Sequence, residues 1–261
     1  MSSGTSKLRR AAQIGTGALV LVAIATAVIG GDVLIAIRRG PHPQLSAPVG
    51  GIDGCAGCGR LPGPMLRVLV LGDSTAAGVG VDSPAGTFIW LSAERLGHPI
   101  EVRSVAASGA RTAALATDQL DAARHVVTGG FVPDVVVISV GANDATHLGS
   151  PDDVGRSHRA GVAGIKAVAP RARFVVLGVP DIGSAPRLPQ PLRALAAVSG
   201  RRMDGAVRAA ATDEAATYVD IAGLTGPAFR KDRGLFAADG YHPNARGYAR
   251  WAEVVAPALG G

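Results

Sequence analysis

Residues 66–74 read LRVLVLGDS, and this stretch decides the fold. Leu66–Leu71 is almost uniformly aliphatic, interrupted only by Arg67, and it stops abruptly at Gly72-Asp73-Ser74. A strand with one wet face alternates apolar and polar residues, so unbroken apolarity predicts a strand covered on both faces, as inside a parallel sheet. Working outward, Val135–Val140 (VVVISV) and Phe174–Val179 (FVVLGV) have the same character, and Ile100–Val105 and Tyr218–Ile221 also read as strands, being rich in β-branched residues and bounded by Gly, Pro or Asp. Between them lie longer stretches with helical patterning, roughly 85–97, 112–127, 152–168, 189–213 and 244–258. In the last, Tyr248, Trp251, Ala252 and Val255 fall at i, i+3, i+4 and i+7, with Asn244 placed to cap the helix and Pro257 to end it. Strand followed by helix, repeated, predicts a three-layer α/β/α sandwich with a doubly wound sheet, whose chemistry collects at the carboxyl ends of the strands.

Length and composition agree with one substantial domain and an appendage. Of 261 residues 48% are hydrophobic and 18% charged, enough to bury a sizeable core and too apolar for a disordered chain. The net charge of +6 is unevenly placed, since residues 1–65 carry six Lys/Arg against two acids and residues 66–261 carry twenty against eighteen. The main domain therefore lacks the basic footprint of a phosphate-backbone binder, and no nucleic acid partner is expected.

The appendage divides in two. Ile14–Gly31 is an eighteen-residue run without a charge, preceded by Lys7, Arg9 and Arg10 and followed by Arg38 and Arg39. As a helix it spans about 27 Å, close to a hydrocarbon core. Residues 1–39 are therefore read as a basic flank and single membrane anchor, with the alternative of a cleaved signal peptide suggested by Ala25-Thr26-Ala27. The slight basic excess before the run places the main domain outside the cytoplasm. Residues 40–65 are crowded with Gly and Pro, a composition read as a linker unable to hold a helix or a strand ladder, with a span of roughly 25–30 Å. Within it Cys55 and Cys58, the only cysteines, are open to three readings: a redox pair, half of a metal site, or a local disulfide stiffening the stalk. A redox CxxC needs a strand and helix around it, and here glycines flank the pair, which favours a structural role.

Four segments of residues 66–261 carry polar groups to strand ends or a helix start: Gly72-Asp73-Ser74, Ala107-Ser108-Gly109-Ala110, Gly141-Ala142-Asn143-Asp144 and Asp239-Gly240-Tyr241-His242-Pro243. A serine nucleophile needs a base within hydrogen-bond reach, a carboxylate that fixes the tautomer of that base, and donors facing the developing oxyanion. These segments supply each kind of group. Other enzyme classes lack their signatures: there is no G-x-S-x-G elbow, no phosphate-binding G-x-x-x-x-G-K-[ST] and no H-E-x-x-H.

In order and spacing these four segments resemble blocks I, II, III and V of the SGNH, or GDSL, family of esterases and lipases, over roughly residues 66–258. The resemblance implies a flavodoxin-like sheet of about five parallel strands and ester hydrolysis without metal or organic cofactor. It assigns Ser74 as nucleophile, His242 as base and Asp239 as its partner. The backbone N–H groups of Ser74 and Gly109 and the side-chain amide of Asn143 would form the oxyanion hole. The activity implied is hydrolysis of carboxylic esters with short to medium acyl chains through an acyl-enzyme, by a monomer acting on small-molecule or lipid esters of the cell envelope or its surroundings. Acyl transfer to a sugar or lipid alcohol is the alternative chemistry, and a catalytically silent binding module the alternative class, which Ser74→Ala would separate from an enzyme.

Each residue also has a plainer reading. Ser74 is suited to cap the turn after its strand, Gly109 to a positive-φ turn, Asn143 to bonding its own backbone, and Asp73 and Asp144 to structural hydrogen bonds. Asp144-Ala-Thr-His147 repeats the D-x-x-H spacing of Asp239 and His242. Crowding favours His242, because an imidazole four residues beyond Asn143 must reach the opposite side of Ser74; His147 is then a pocket-lining candidate. Residues 180–183 and 188–192 are expected to shape the acyl or alcohol pocket.

Overall fold

β-Branched and leucine runs have no stable place except between two apolar layers, and in the structure they occupy one. The computed structural model describes residues 43–260. Six strands are present: β1 (Gly54–Ala56), β2 (Leu66–Gly72), β3 (Ile100–Ser104), β4 (Val135–Ser139), β5 (Arg173–Leu177) and β6 (Thr217–Val219). They lie in the order β1-β3-β2-β4-β5-β6, all parallel except β1, which runs antiparallel to β3. Helices α1 (Phe88–Leu96), α6 (Ile221–Lys231) and α7 (Ala245–Gly260) cover one face, packing on Val68, Val70, Val135 and Val137. On the other face α2 (Asp118–Thr128), α3 (Ala142–Thr146), α4 (Pro151–Val168) and α5 (Leu192–Asp213) pack on Leu69, Leu71, Val136 and Ile138. This is the three-layer sandwich expected, with five parallel strands and one short antiparallel edge strand added.

That added strand corrects the reading of residues 40–65. Gly54, Cys55 and Ala56 pair with Val102, Glu101 and Ile100, although the segment is rich in glycine. Tertiary contacts supply what local propensity lacks. Ile52 is buried, its carbonyl accepts a bond from Trp90 Nε1 at 2.9 Å, and Asp53 Oδ1 accepts one from the Ser104 N–H at 2.8 Å. Cys55 and Cys58 form a disulfide immediately beyond this anchor point. Chain from Ile52 onward is thus part of the domain, and residues 52–65 are not a free spacer.

Two helix expectations also change. α7 runs through Pro257 to Gly260, because Val255, Ala256 and Leu259 are buried and Arg173 bonds the Ala258 and Leu259 carbonyls. Packing there outweighs one missing backbone donor in the last turn. α6 was not expected, since its sequence IAGLTGPAFRK holds two glycines and a proline. It forms because Asp220 Oδ1 caps the Gly223 N–H at 2.8 Å and because Ile221, Thr225 and Phe229 present one buried face. Among the described residues no helix is long and apolar enough to cross a membrane, and the run 14–31 lies outside them.

Docking of the segment before β2 has a measurable consequence. Ile52→Ala empties a filled site and is expected to cost about 2–5 kcal/mol in urea unfolding. An unchanged midpoint would restore the linker reading.

Candidate active site

The parallel sheet delivers the polar segments to one edge. β2 ends where the Asp73 N–H bonds the Ser139 carbonyl of β4 at 2.9 Å. At Gly72 (φ 140°) a Cβ would stand 1.9 Å from that same carbonyl oxygen, so only glycine lets the chain turn there. Gln119, a side chain with no signal in the sequence reading, grips Gly72 from α2: its Nε2 donates to the Gly72 carbonyl at 2.7 Å and its Oε1 accepts the Gly72 N–H at 2.9 Å. The following turn closes through Ala77 N–H to Asp73 O and Val79 N–H to Ser74 O.

Capping of this turn falls to Asp73, whose Oδ1 accepts the Thr75 N–H and hydroxyl at 3.0 and 2.8 Å. The Ser74 hydroxyl is thereby left for another partner. Its Oγ lies 2.8 Å from His242 Nε2, and His242 Nδ1 lies 2.5 Å from Asp239 Oδ2. Asp239 is almost wholly buried, and its other oxygen accepts the backbone N–H groups of Tyr241 and His242 at 2.9 and 3.0 Å. Burial alone would raise this carboxyl; bonds from the His242 ring and from those two N–H groups outweigh it and hold the group below the usual carboxylate range. The His242 loop and the Ser74 turn touch at Gly80 (φ 105°), where a Cβ would meet the Pro243 carbonyl oxygen at 2.2 Å.

Gly109 (φ 81°) and Asn143 line the same open pocket as Ser74 and His242. Asn143 Nδ2 donates to the Ala110 carbonyl at 2.9 Å; an amide nitrogen carries two hydrogens, so one donor is left for a ligand. The rival pair does not assemble. Asp144 Oδ2 accepts the Thr112 N–H and hydroxyl at 2.9 and 2.8 Å, while the exposed His147 ring is bonded to the Asn143 carbonyl at 2.7 Å. His147 does not line the Ser74 pocket, whereas Thr146 and Leu188 do.

Residues 70–250 match the GDSL-like lipase/acylhydrolase family. The chain belongs to that family. A GDSL-like esterase of Mycobacterium tuberculosis is 36% identical over 200 residues, covering 74% of this chain; the match spans 62% of that relative's length. Among solved structures, a putative SGNH hydrolase from Slackia heliotrinireducens superposes with a TM-score of 0.57 at 25% identity, covering 76% of this chain and all of that one. A lipase/acylhydrolase from Enterococcus faecalis shares the fold with a TM-score of 0.55 at 18% identity, covering 74% and 94%.

In this family member Ser74 stands between two cavities. One is the open pocket just described. The other, on the side of Thr75 and Ala142, is apolar, with Ile182, Ala185, Phe229, Tyr241 and Trp251 in its wall. Of the loops expected to shape a pocket, Pro180–Ile182 lines the apolar cavity and Leu188 the open one, while Leu192 is exposed. Among the described residues no three His, Cys, Asp or Glu side chains are placed to hold a metal ion.

Asp73 is buried without a cation, and desolvation raises its carboxyl to about 6 despite the bonds from Thr75. Between the ordinary carboxylate value and about 6 the folded chain therefore binds a proton that the unfolded chain releases. Stability attributable to this group falls as pH rises through that window. Asp73→Asn, which can keep both Thr75 bonds, is expected to stabilise the protein by roughly 2–3 kcal/mol at pH 7.5 and by almost nothing at pH 4. Urea midpoints at the two pH values check this, and an equal effect at both would contradict it.

Proposed function

We propose that this chain is a serine esterase that cleaves carboxylic esters through an acyl-enzyme at Ser74. The observation that carries the reading is the continuous hydrogen-bonded line from Ser74 Oγ through His242 to buried Asp239. In the proposed step the Ser74 hydroxyl donates to Nε2 while Nδ1–H donates to Asp239. His242 takes the proton as Oγ attacks the carbonyl carbon, and the oxyanion meets the Ser74 and Gly109 N–H groups and the second hydrogen of Asn143. His242 then returns the proton to the leaving alcohol, and a water molecule activated by the same imidazole hydrolyses the ester at Ser74.

The two cavities support an assignment of the two halves of the substrate. The apolar cavity, the less open of the two, is assigned to the acyl chain, and the open one, next to exposed Ser108 and Gly109, admits the alcohol and then water. Access of water at that side favours hydrolysis over transfer. Ser74→Ala is expected to lower kcat on p-nitrophenyl esters by at least about 10³-fold and to abolish labelling by a fluorophosphonate. Asn143→Ala is expected to lower kcat about 10²- to 10³-fold with the fold intact. A native chain that neither cleaves any member of an acetyl-to-dodecanoyl series nor takes the label would refute the assignment.

The same reading places the domain outside the cytoplasm, held at the membrane by residues 14–31. Its supports are the uncharged run, the basic flank, and the Cys55–Cys58 disulfide, a bond favoured in oxidising compartments. Eleven residues, 32–42, separate that run from Pro43, at most about 40 Å of chain. Protease added to intact cells is expected to remove the activity; activity that becomes sensitive only after lysis would reverse the orientation.

A further inference from the structure

Beside the mouth of the Ser74 pocket the surface is apolar where water would be expected to select polar side chains. Leu192, Leu195 and Val198 project from the first two turns of α5, about half exposed (54%, 55% and 48%). Leu148 is 70% exposed and sits at φ 52°, a left-handed conformation that a leucine rarely adopts. Leu148 lies beside this stripe of α5, because its N–H and the hydroxyl of Ser199, the residue after Val198, bond the same carbonyl, that of Ala145. The patch is continuous with the site. Leu188 lines the Ser74 pocket and its carbonyl accepts Arg193 Nε at 2.8 Å, and Thr146 lines it from α3.

Basic side chains predominate around the patch, in a stretch bounded by Asp181, which pairs with Arg230, and Asp204, which is bonded to Tyr218. From Ile182 to Met203 the chain holds four arginines, Arg187, Arg193, Arg201 and Arg202, and no acid. None of the four forms an ion pair among the described residues, whereas eleven other arginines do. Of the acids beyond Leu148, Asp153 is paired with Arg156, which leaves Asp152. Apolar side chains ringed by unpaired arginines complement a layer whose headgroups are anionic and whose interior is hydrocarbon.

The course of the N-terminal chain points the same way. Residues 45–49 border a groove with Gly80, Ala237 and Ala238, next to the turn that carries Ser74 and the loop that carries His242. A Cβ at Gly78, four residues after Ser74, would meet Pro48 and Ile52. Chain arriving from residues 1–42 therefore joins the domain at the strand-end edge that holds the site, and an apolar run at 14–31 lies within eleven residues of that edge.

We propose that the face carrying Leu148, Leu192, Leu195 and Val198, flanked by Arg187, Arg193, Arg201 and Arg202, docks on an anionic lipid surface and turns the mouth of the Ser74 pocket toward it. Ester groups packed in the layer then reach Ser74 without the domain leaving the surface. This docking does not depend on turnover at Ser74. Its test can therefore be run on the Ser74→Ala chain, and failure of the esterase reading would show separately, as absent hydrolysis of soluble esters.

The experiment places an environment-sensitive fluorophore on Ala194→Cys, exposed within the stripe, or on Thr212→Cys, exposed at the far end of α5, in the full chain with the native cysteines in their disulfide. Vesicles contain brominated acyl chains with either 30% anionic lipid or none. Quenching of at least twofold at position 194 with anionic vesicles is expected, with none at position 212 and less than half the effect on neutral vesicles. Leu192→Ser/Leu195→Ser/Val198→Ser in the position-194 chain is expected to abolish the quenching. Equal quenching at both positions would mean that attachment by the N-terminal run alone sets the orientation, and would overturn the proposal. Absence of lipid-dependent quenching at position 194 would also overturn it, as would quenching between two labelled chains without vesicles, which would show that the patch pairs copies of the protein.

Discussion

The site depends on a contact that admits no side chain. Gly72 lies against the Ser139 carbonyl, in register with β4, and its backbone is held on the other side by Gln119. With no Cβ the chain leaves the sheet in one residue instead of several, and Ser74 is delivered at the strand end while Leu69 and Leu71 remain buried beneath it. Any larger residue would have to draw β2 away from that carbonyl by more than about 1 Å, enough to break the ladder bonds between β2 and β4. The rigidity of the parallel centre therefore becomes the positional accuracy of a hydroxyl.

Three aspartates at this edge show how surroundings divide one residue type into separate tasks. Asp239 accepts two backbone N–H groups on one oxygen and the imidazole on the other, and is held as a carboxylate despite burial. Asp73 is equally buried but receives only the N–H and hydroxyl of Thr75, so desolvation prevails and its affinity for a proton rises. Asp144 spends an oxygen on Thr112 and ties the loop after β3 to the loop after β4, which brings Gly109 and Asn143 to one pocket. Number and charge of donors, more than depth, separate the three.

Much of this was legible before folding. Three of the five parallel strands, β2, β4 and β5, were marked by runs too apolar to have a wet face, and Ser74, Gly109, Asn143, Asp239 and His242 stood at the ends of strands or ahead of the last helix. What escaped the reading had weak local signals. β1 is three residues among glycines, and α6 contains two glycines and a proline, so propensity spoke against both. Their stability comes from Trp90, Ser104 and the aromatic layer around Phe229, partners distant in sequence. Gln119, Thr112 and Thr75, which hold the turns of the site, carry no motif because a bond to a backbone group needs only a polar side chain in the right place.

The sequence by itself determined the layering, the order of the strands' contributions and the kinds of groups gathered at the edge, because hydrophobic periodicity and strand length depend on neighbours along the chain. Spacing alone could not separate the two D-x-x-H pairs, where crowding and the family resemblance favoured His242, nor say whether Ser74 caps its own turn. Tertiary structure decided both. Thr112, thirty-two residues away from Asp144, engages that carboxylate, and Asp73 takes the capping role, leaving Ser74 for His242. Hydrogen-bond partners are exclusive and act over a few ångströms, so the fate of each polar group is fixed only when distant segments arrive.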